Sequence, residues 1–277
     1  MLRSPRTRIQ ASLKSAIAIG AVALAISCAA GRGRGATGPD SERQSDAELD
    51  IARDLFIVRH SPRGALAHAQ KAVDLNDENA DAHHLKALIF LSFCAASSIE
   101  CRLPEAERAA RRALQIRKDY REAQNTLGVT LIQEKKYDDA ILVLKPLAGD
   151  ILYQTPWDAW GNLGQAYMEK GRLDEAIDAL NRSIAAEPRF CVGNFRLGLA
   201  YEKKGDLVAA REALSRAVDT NRPECQVFQD AFEARARVFA KSKNCDLARS
   251  DWERCIKIAA DTPAGRRCAA SLKAPSC

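Results

Sequence analysis

Trp160-Gly161-Asn162-Leu163-Gly164-Gln165-Ala166-Tyr167 returns 34 residues later as Asn194-Phe195-Arg196-Leu197-Gly198-Leu199-Ala200-Tyr201. Downstream of each copy, Ala176 and Leu180 come back as Ala210 and Leu214. An upstream copy holds Leu127, Gly128, Leu131, Ala140 and Leu144. A period of this length marks a repeated helix–turn–helix unit. The residue types explain the pattern. Gly164 and Gly198 belong where the two helices of one unit cross closely, and Ala176 and Ala210 are small for the same reason. Leu163, Tyr167 and Leu180 are large and fill the space around those contacts. Gly171 and Gly205 fall where the first helix must end in a left-handed residue. Asp174 and Asp206 follow near the start of the second helix, where the helix dipole favours an acid. Pro188 and Pro223 then punctuate each unit.

This spacing is that of the tetratricopeptide repeat. It predicts an all-α fold: a right-handed superhelical solenoid of about six repeats with a C-terminal capping helix. The repeats are expected over 46–79, 80–120 (enlarged between its helices), 121–154, 157–190, 191–224 and 229–262. In the degenerate sixth copy, Phe232, Phe239, Ala248 and Trp252 take the packing offsets. Residues 263–277 supply the cap and tail, needed because a terminal repeat leaves one apolar face uncovered. With 28% charged and 6% aromatic residues, the composition suits thin layers of Ala and Leu. The net charge of +6 falls to +2 once Arg3, Arg6, Arg8 and Lys14 are set aside, so nucleic acid is not an expected partner.

Those four basic residues open an export signal over 1–27. They precede an apolar run from Ala16 to Ile26, shorter than the roughly 20 residues a spanning helix needs. Ala25-Ile26-Ser27-Cys28 resembles a bacterial lipobox, in which Cys28 is acylated and becomes the mature N-terminus. Ala29, not Asp, then implies sorting to the outer membrane, facing the periplasm. The same run also reads as a plain signal cleaved after Ser27 or Ala30, or as an uncleaved anchor. Residues 28–45 are Gly-rich and polar and are expected to form a flexible tether.

Nine cysteines in an exported chain favour disulfides, since eight remain after Cys28. Cys94 and Cys101 flank the enlarged second hairpin. Cys191 and Cys225 stand 34 residues apart, at equivalent points of consecutive repeats. For the last four, Cys255–Cys268 and Cys245–Cys277 are the expected pairs, one of three connectivities. Buried free thiols are the alternative. No Cys or His spacing resembles a zinc or haem site, and no cofactor is expected. His60, His68, His83 and His84 include no HExxH, and no GxGxxG, GxxxxGK[ST] or GxSxG occurs. Acids such as Asp138, Asp139 and Glu175 sit at helix starts, where capping accounts for them. An enzyme is not expected.

In this repeat class the first helix of each unit lines the concave surface at its second, fifth, ninth and twelfth positions. Those offsets give Glu122, Asn125, Val129 and Ile132, then Asp158, Gly161, Gln165 and Met168, then Val192, Phe195, Leu199 and Glu202. Val192, Phe195 and Leu199 form an apolar trio. Either a protein segment docks on it or the C-terminal helices cover it. The Lys/Arg/Asn set that clamps C-terminal carboxylates in chaperone-binding repeats is absent from these positions.

Gln154-Thr155-Pro156-Trp157-Asp158-Ala159-Trp160-Gly161-Asn162-Leu163-Gly164 and Pro188-Arg189-Phe190-Cys191-Val192-Gly193, beside the lipobox and six repeats, resemble the PilF/PilW/Tgl family of type IV pilus biogenesis lipoproteins. The more specific features are the Tyr153-Gln154-Thr155-Pro156 insert and Phe190-Cys191 with its partner Cys225. The resemblance spans about 46–262. It implies a pilotin, which binds a secretin at the outer membrane and promotes assembly of its multimer. A general periplasmic repeat lipoprotein, serving as adaptor for cell-wall or envelope assembly enzymes, is the alternative. A redox role for the cysteines is a third.

Overall fold

Pro39 opens the first helix. Its ring fixes φ at a helical value, an extended Gly38 precedes it, and Asp40 and Glu42 meet the positive end of the helix dipole. The computed structural model describes residues 38–96 and 98–274. The flexible segment expected over 28–45 therefore gives way to helix at Pro39, because a proline suits the first turn of a helix, where its missing N–H costs nothing. The signal segment 1–27 and Cys28 lie outside the described residues.

Helices α1 (Pro39–Arg53) and α2 (Pro62–Leu75) form the first hairpin, with a π-helical turn, Asp54–Val58, between them. The next four hairpins are α3 (Ala80–Ala96) with α4 (Leu103–Ile116), α5 (Arg121–Gln133) with α6 (Tyr137–Ala148), α7 (Pro156–Glu169) with α8 (Leu173–Ala186), and α9 (Cys191–Lys204) with α10 (Leu207–Val218). A short α11 (Pro223–Gln226) leads to the sixth hairpin, α12 (Gln229–Lys241) with α13 (Cys245–Ile258). Helix α14 (Pro263–Lys273) packs on α13 and α12. The described residues contain no strand and no helix long and apolar enough to cross a membrane.

The tightest crossings lie inside the hairpins, at glycine. A Cβ on Gly128, Gly164 or Gly198 would stand 2.4, 2.5 or 2.4 Å from Leu144, Leu180 or Leu214 respectively. These leucines are fully buried, as are Ala140, Ala176 and Ala210. In the degenerate sixth unit, Phe232, Phe239, Ala248 and Trp252 are likewise buried. Each hairpin packs on the next, and the first helices of successive hairpins (α3, α5, α7, α9, α12) also touch one another. The second helices (α4, α6, α8, α10) make no comparable contacts among themselves. Closer spacing along one row curves the stack, with the first helices on its inner side.

Candidate partner-binding surface

The inner side is built where α5, α7 and α9 lie side by side. Asn162 on α7 bridges its neighbours: its Nδ2 donates to Asn125 Oδ1 at 2.9 Å, and its Oδ1 accepts from Arg196 Nη1 at 2.9 Å. Arg196 also lies beside Gly161; a Cβ there would meet the Phe190 ring at 3.2 Å and the guanidinium at 3.4 Å. Burial lowers the Arg196 pKa to about 10, against an upward pull from Asp158. Burial raises the Asp158 carboxyl, outweighing a hydrogen bond from Thr155 and the attraction of Arg196. Neither group reaches the other at ion-pair distance, unlike Arg235, which holds Asp251 at 2.7 Å, or Arg222, which holds Glu187 at 3.1 Å. A desolvated cation with free donors suits carboxylate or carbonyl oxygens from a partner chain. Tyr153, raised by burial and by nearby Asp158 and Glu122, borders the same cluster.

The residues expected to line this surface differ in how far they are exposed. Asn125, Val129, Asp158, Gln165 and Val192 are half-buried on the first helices. Met168 is only 4% exposed and joins the central core, as does Ile132 at the same position of α5; neither can meet a partner. The apolar trio is not an open patch either. Phe195 packs edge-on against Phe228, ring centroids 4.9 Å apart, and Leu199 packs against the Ala210, Leu214, Ala234 and Val238 cluster. Here the C-terminal hairpin does the covering. Glu202 is committed as well, since Arg237 and Lys241 hold its carboxylate at 2.8 and 2.7 Å. Burial alone would raise the Glu202 carboxyl; those two hydrogen bonds overcome it and hold the pKa below the usual value. The offset rule passed over Asn162 and Arg196, which sit at the sixth position of their repeats. Their signal was an Asn and an Arg, 34 residues apart, at a place otherwise turned toward the core.

The structure joins Cys94 to Cys101, Cys191 to Cys225 and Cys255 to Cys268. The fourth expected pair, Cys245–Cys277, lies outside the described residues because Cys277 does. Two of the histidines serve packing: His84 bonds to Tyr120 and Thr126, each at 2.9 Å, and a buried His83 bonds to the Asp77 carbonyl at 3.0 Å.

Two models of the tetratricopeptide repeat match, over residues 157–190 and 195–262. The chain carries tetratricopeptide repeats. No curated protein matches it. Among solved structures, PilF of Pseudomonas aeruginosa superposes with a TM-score of 0.63 at 17% identity, covering 84% of this chain and 99% of that one. PilW, a widely conserved type IV pilus biogenesis factor, gives 0.67 at 19% identity over 80% and 97%. The Cut9–Hcn1 hetero-tetramer of the APC/C gives 0.69 at 17% identity, over 83% of this chain and 43% of that one. At these identities the likeness is one of fold, a tetratricopeptide solenoid.

Proposed function

We propose that this chain is a non-enzymatic, lipid-anchored assembly factor of the outer membrane. It binds a secretin through the inner face of its solenoid and promotes secretin assembly for type IV pilus biogenesis. The observation that carries the reading is coverage: the superposition takes in 99% of PilF and 97% of PilW. The lipobox-like Ala25-Ile26-Ser27-Cys28 supports an anchor facing the periplasm. Arg196, half-buried and held in place by the buried Asn162, offers the partner a donor, with the half-buried Asn125 on the other side of Asn162. Held near the membrane, the solenoid raises the local concentration of secretin subunits and so favours ring closure without catalysis. Deleting the gene and counting heat-resistant secretin multimers tests this. Multimers are expected to fall sharply; multimers at the wild-type level exclude the role.

A further inference from the structure

A stack of antiparallel hairpins has two edges. One carries the turns inside the hairpins; on the other the first helices begin and the loops between repeats lie. The described chain begins on that second edge, at Gly38, the residue before α1. The loop over 149–155 lies there too, because it leads into α7 at Pro156. Its tip is apolar: Ile151 is 95% exposed and Leu152 is 62% exposed.

The loop holds these side chains out. Asp150 Oδ1 accepts from the Leu152 N–H at 2.8 Å, and Asp150 Oδ2 accepts from Arg121 Nε at 2.6 Å. The Tyr153 N–H donates to the Asp150 carbonyl at 3.1 Å, while the Tyr153 ring is only 5% exposed. Both sides of the tip are thus fastened, so Ile151 and Leu152 cannot fold back to bury themselves. Keeping two branched aliphatic side chains in water forgoes their hydrophobic burial. Lys118, exposed and lining the same hollow as Pro146 and Asp150, adds positive charge beside the tip.

The occupant follows from where the chain enters. Ten residues separate Cys28 from Gly38 and span at most about 35 Å fully extended. An acylated Cys28, or an uncleaved apolar run, therefore keeps the edge bearing Gly38 close to lipid. We infer that Ile151 and Leu152 insert into the lipid surface, with Lys118 against anionic headgroups. The loop is then a second membrane contact that sets the solenoid edge-on and leaves its inner face open to a partner. This rests on the membrane attachment in the proposed function.

The test uses the full-length, membrane-attached protein in vesicles of phosphatidylethanolamine and phosphatidylglycerol, comparing wild type with Ile151→Trp. The added indole is expected to emit at shorter wavelength than in water. Brominated acyl chains should quench it at least twofold beyond the signal of the three native tryptophans. In Cys28→Ala protein, Ile151→Ser with Leu152→Ser should weaken residual vesicle binding about tenfold. An indole that stays water-like and unquenched on protein that floats with the vesicles overturns the inference and leaves attachment intact. Wild-type protein that fails to float overturns both. A water-exposed tip whose double serine variant no longer captures purified secretin assigns the loop to a protein partner instead.

Discussion

Gly164 has room for a hydrogen and nothing larger. A Cβ there would lie 2.5 Å from Leu180 Cγ and 3.2 Å from the Ala176 carbonyl oxygen, and the second neighbour is backbone, which cannot rotate away. Gly164→Ala gains about 1 kcal/mol of helix propensity but forces the α7–α8 crossing apart. The expected net loss is about 1–3 kcal/mol, read as a lower urea midpoint with unchanged m-value. A midpoint at or above wild type would show that Leu180 yields instead. Such glycines were legible in the sequence because the 34-residue spacing repeats them opposite a leucine. The inner-face residues were less so. A fixed offset presumes that every turn of helix A presents alike, yet Ile132 and Met168, at the twelfth position of their repeats, are buried in the core. Arg196 is missed for the opposite reason: a long polar side chain reaches the face from a position that short ones leave to the core, and the buried Asn162 holds it there.

At the level of the hairpin, the turn between helices recurs as one left-handed residue. Gly171 and Gly205 take φ of +77° and +89°, but the third and sixth hairpins place Lys135 and Lys243 there at 63° and 61°, and His60 serves the first at 50°. A side chain in this region costs about 1–2 kcal/mol, part of which the greater entropy of unfolded glycine gives back. Lys135→Gly is therefore expected to stabilise the protein by up to about 1 kcal/mol, raising the melting temperature by one to a few degrees. A lower melting temperature would mean that Lys135 makes a contact worth more than its strain. The glycine turns were readable directly; the lysine turns were hidden, because lysine gives no local signal of positive φ. The joint between α9 and α12 makes a second, pH-dependent case. Glu202 is held below its ordinary pKa by Arg237 and Lys241, so its stabilisation is complete above the unfolded carboxyl pKa, near 4.5, and is lost as pH falls through the depressed folded value. Glu202→Gln should lower the melting temperature at pH 7 and matter little near pH 3. An equal deficit at both would assign the loss to packing rather than charge.

Across the whole molecule, stability is close to a sum of hairpins and the contacts between neighbours, so one weak joint can open without the rest. The weakest point in the pattern is the passage from the fifth hairpin to the sixth, where α11 interrupts the 34-residue rhythm. There Cys225 is fully buried and bridges to Cys191 at the start of α9, with Cα atoms 5.7 Å apart. The crosslink closes a loop of 34 residues, worth about 3–4 kcal/mol by restriction of the unfolded chain. It also pins α11 where Phe228, three residues beyond Cys225, caps Phe195. Replacing both cysteines by serine removes the crosslink and places two hydroxyls in a dry site, but changes no residue of α1 to α8. The expected result is a melting curve in two steps, with α11 to α14 opening at lower temperature than the hairpins before them. Hydrogen exchange should show early loss of protection in α12 and α13 while α5 to α8 keep theirs. If the double variant melts in a single step, with protection falling evenly along the chain, coupling between neighbouring hairpins outweighs the staple, and the bridge serves the whole stack rather than its last joint.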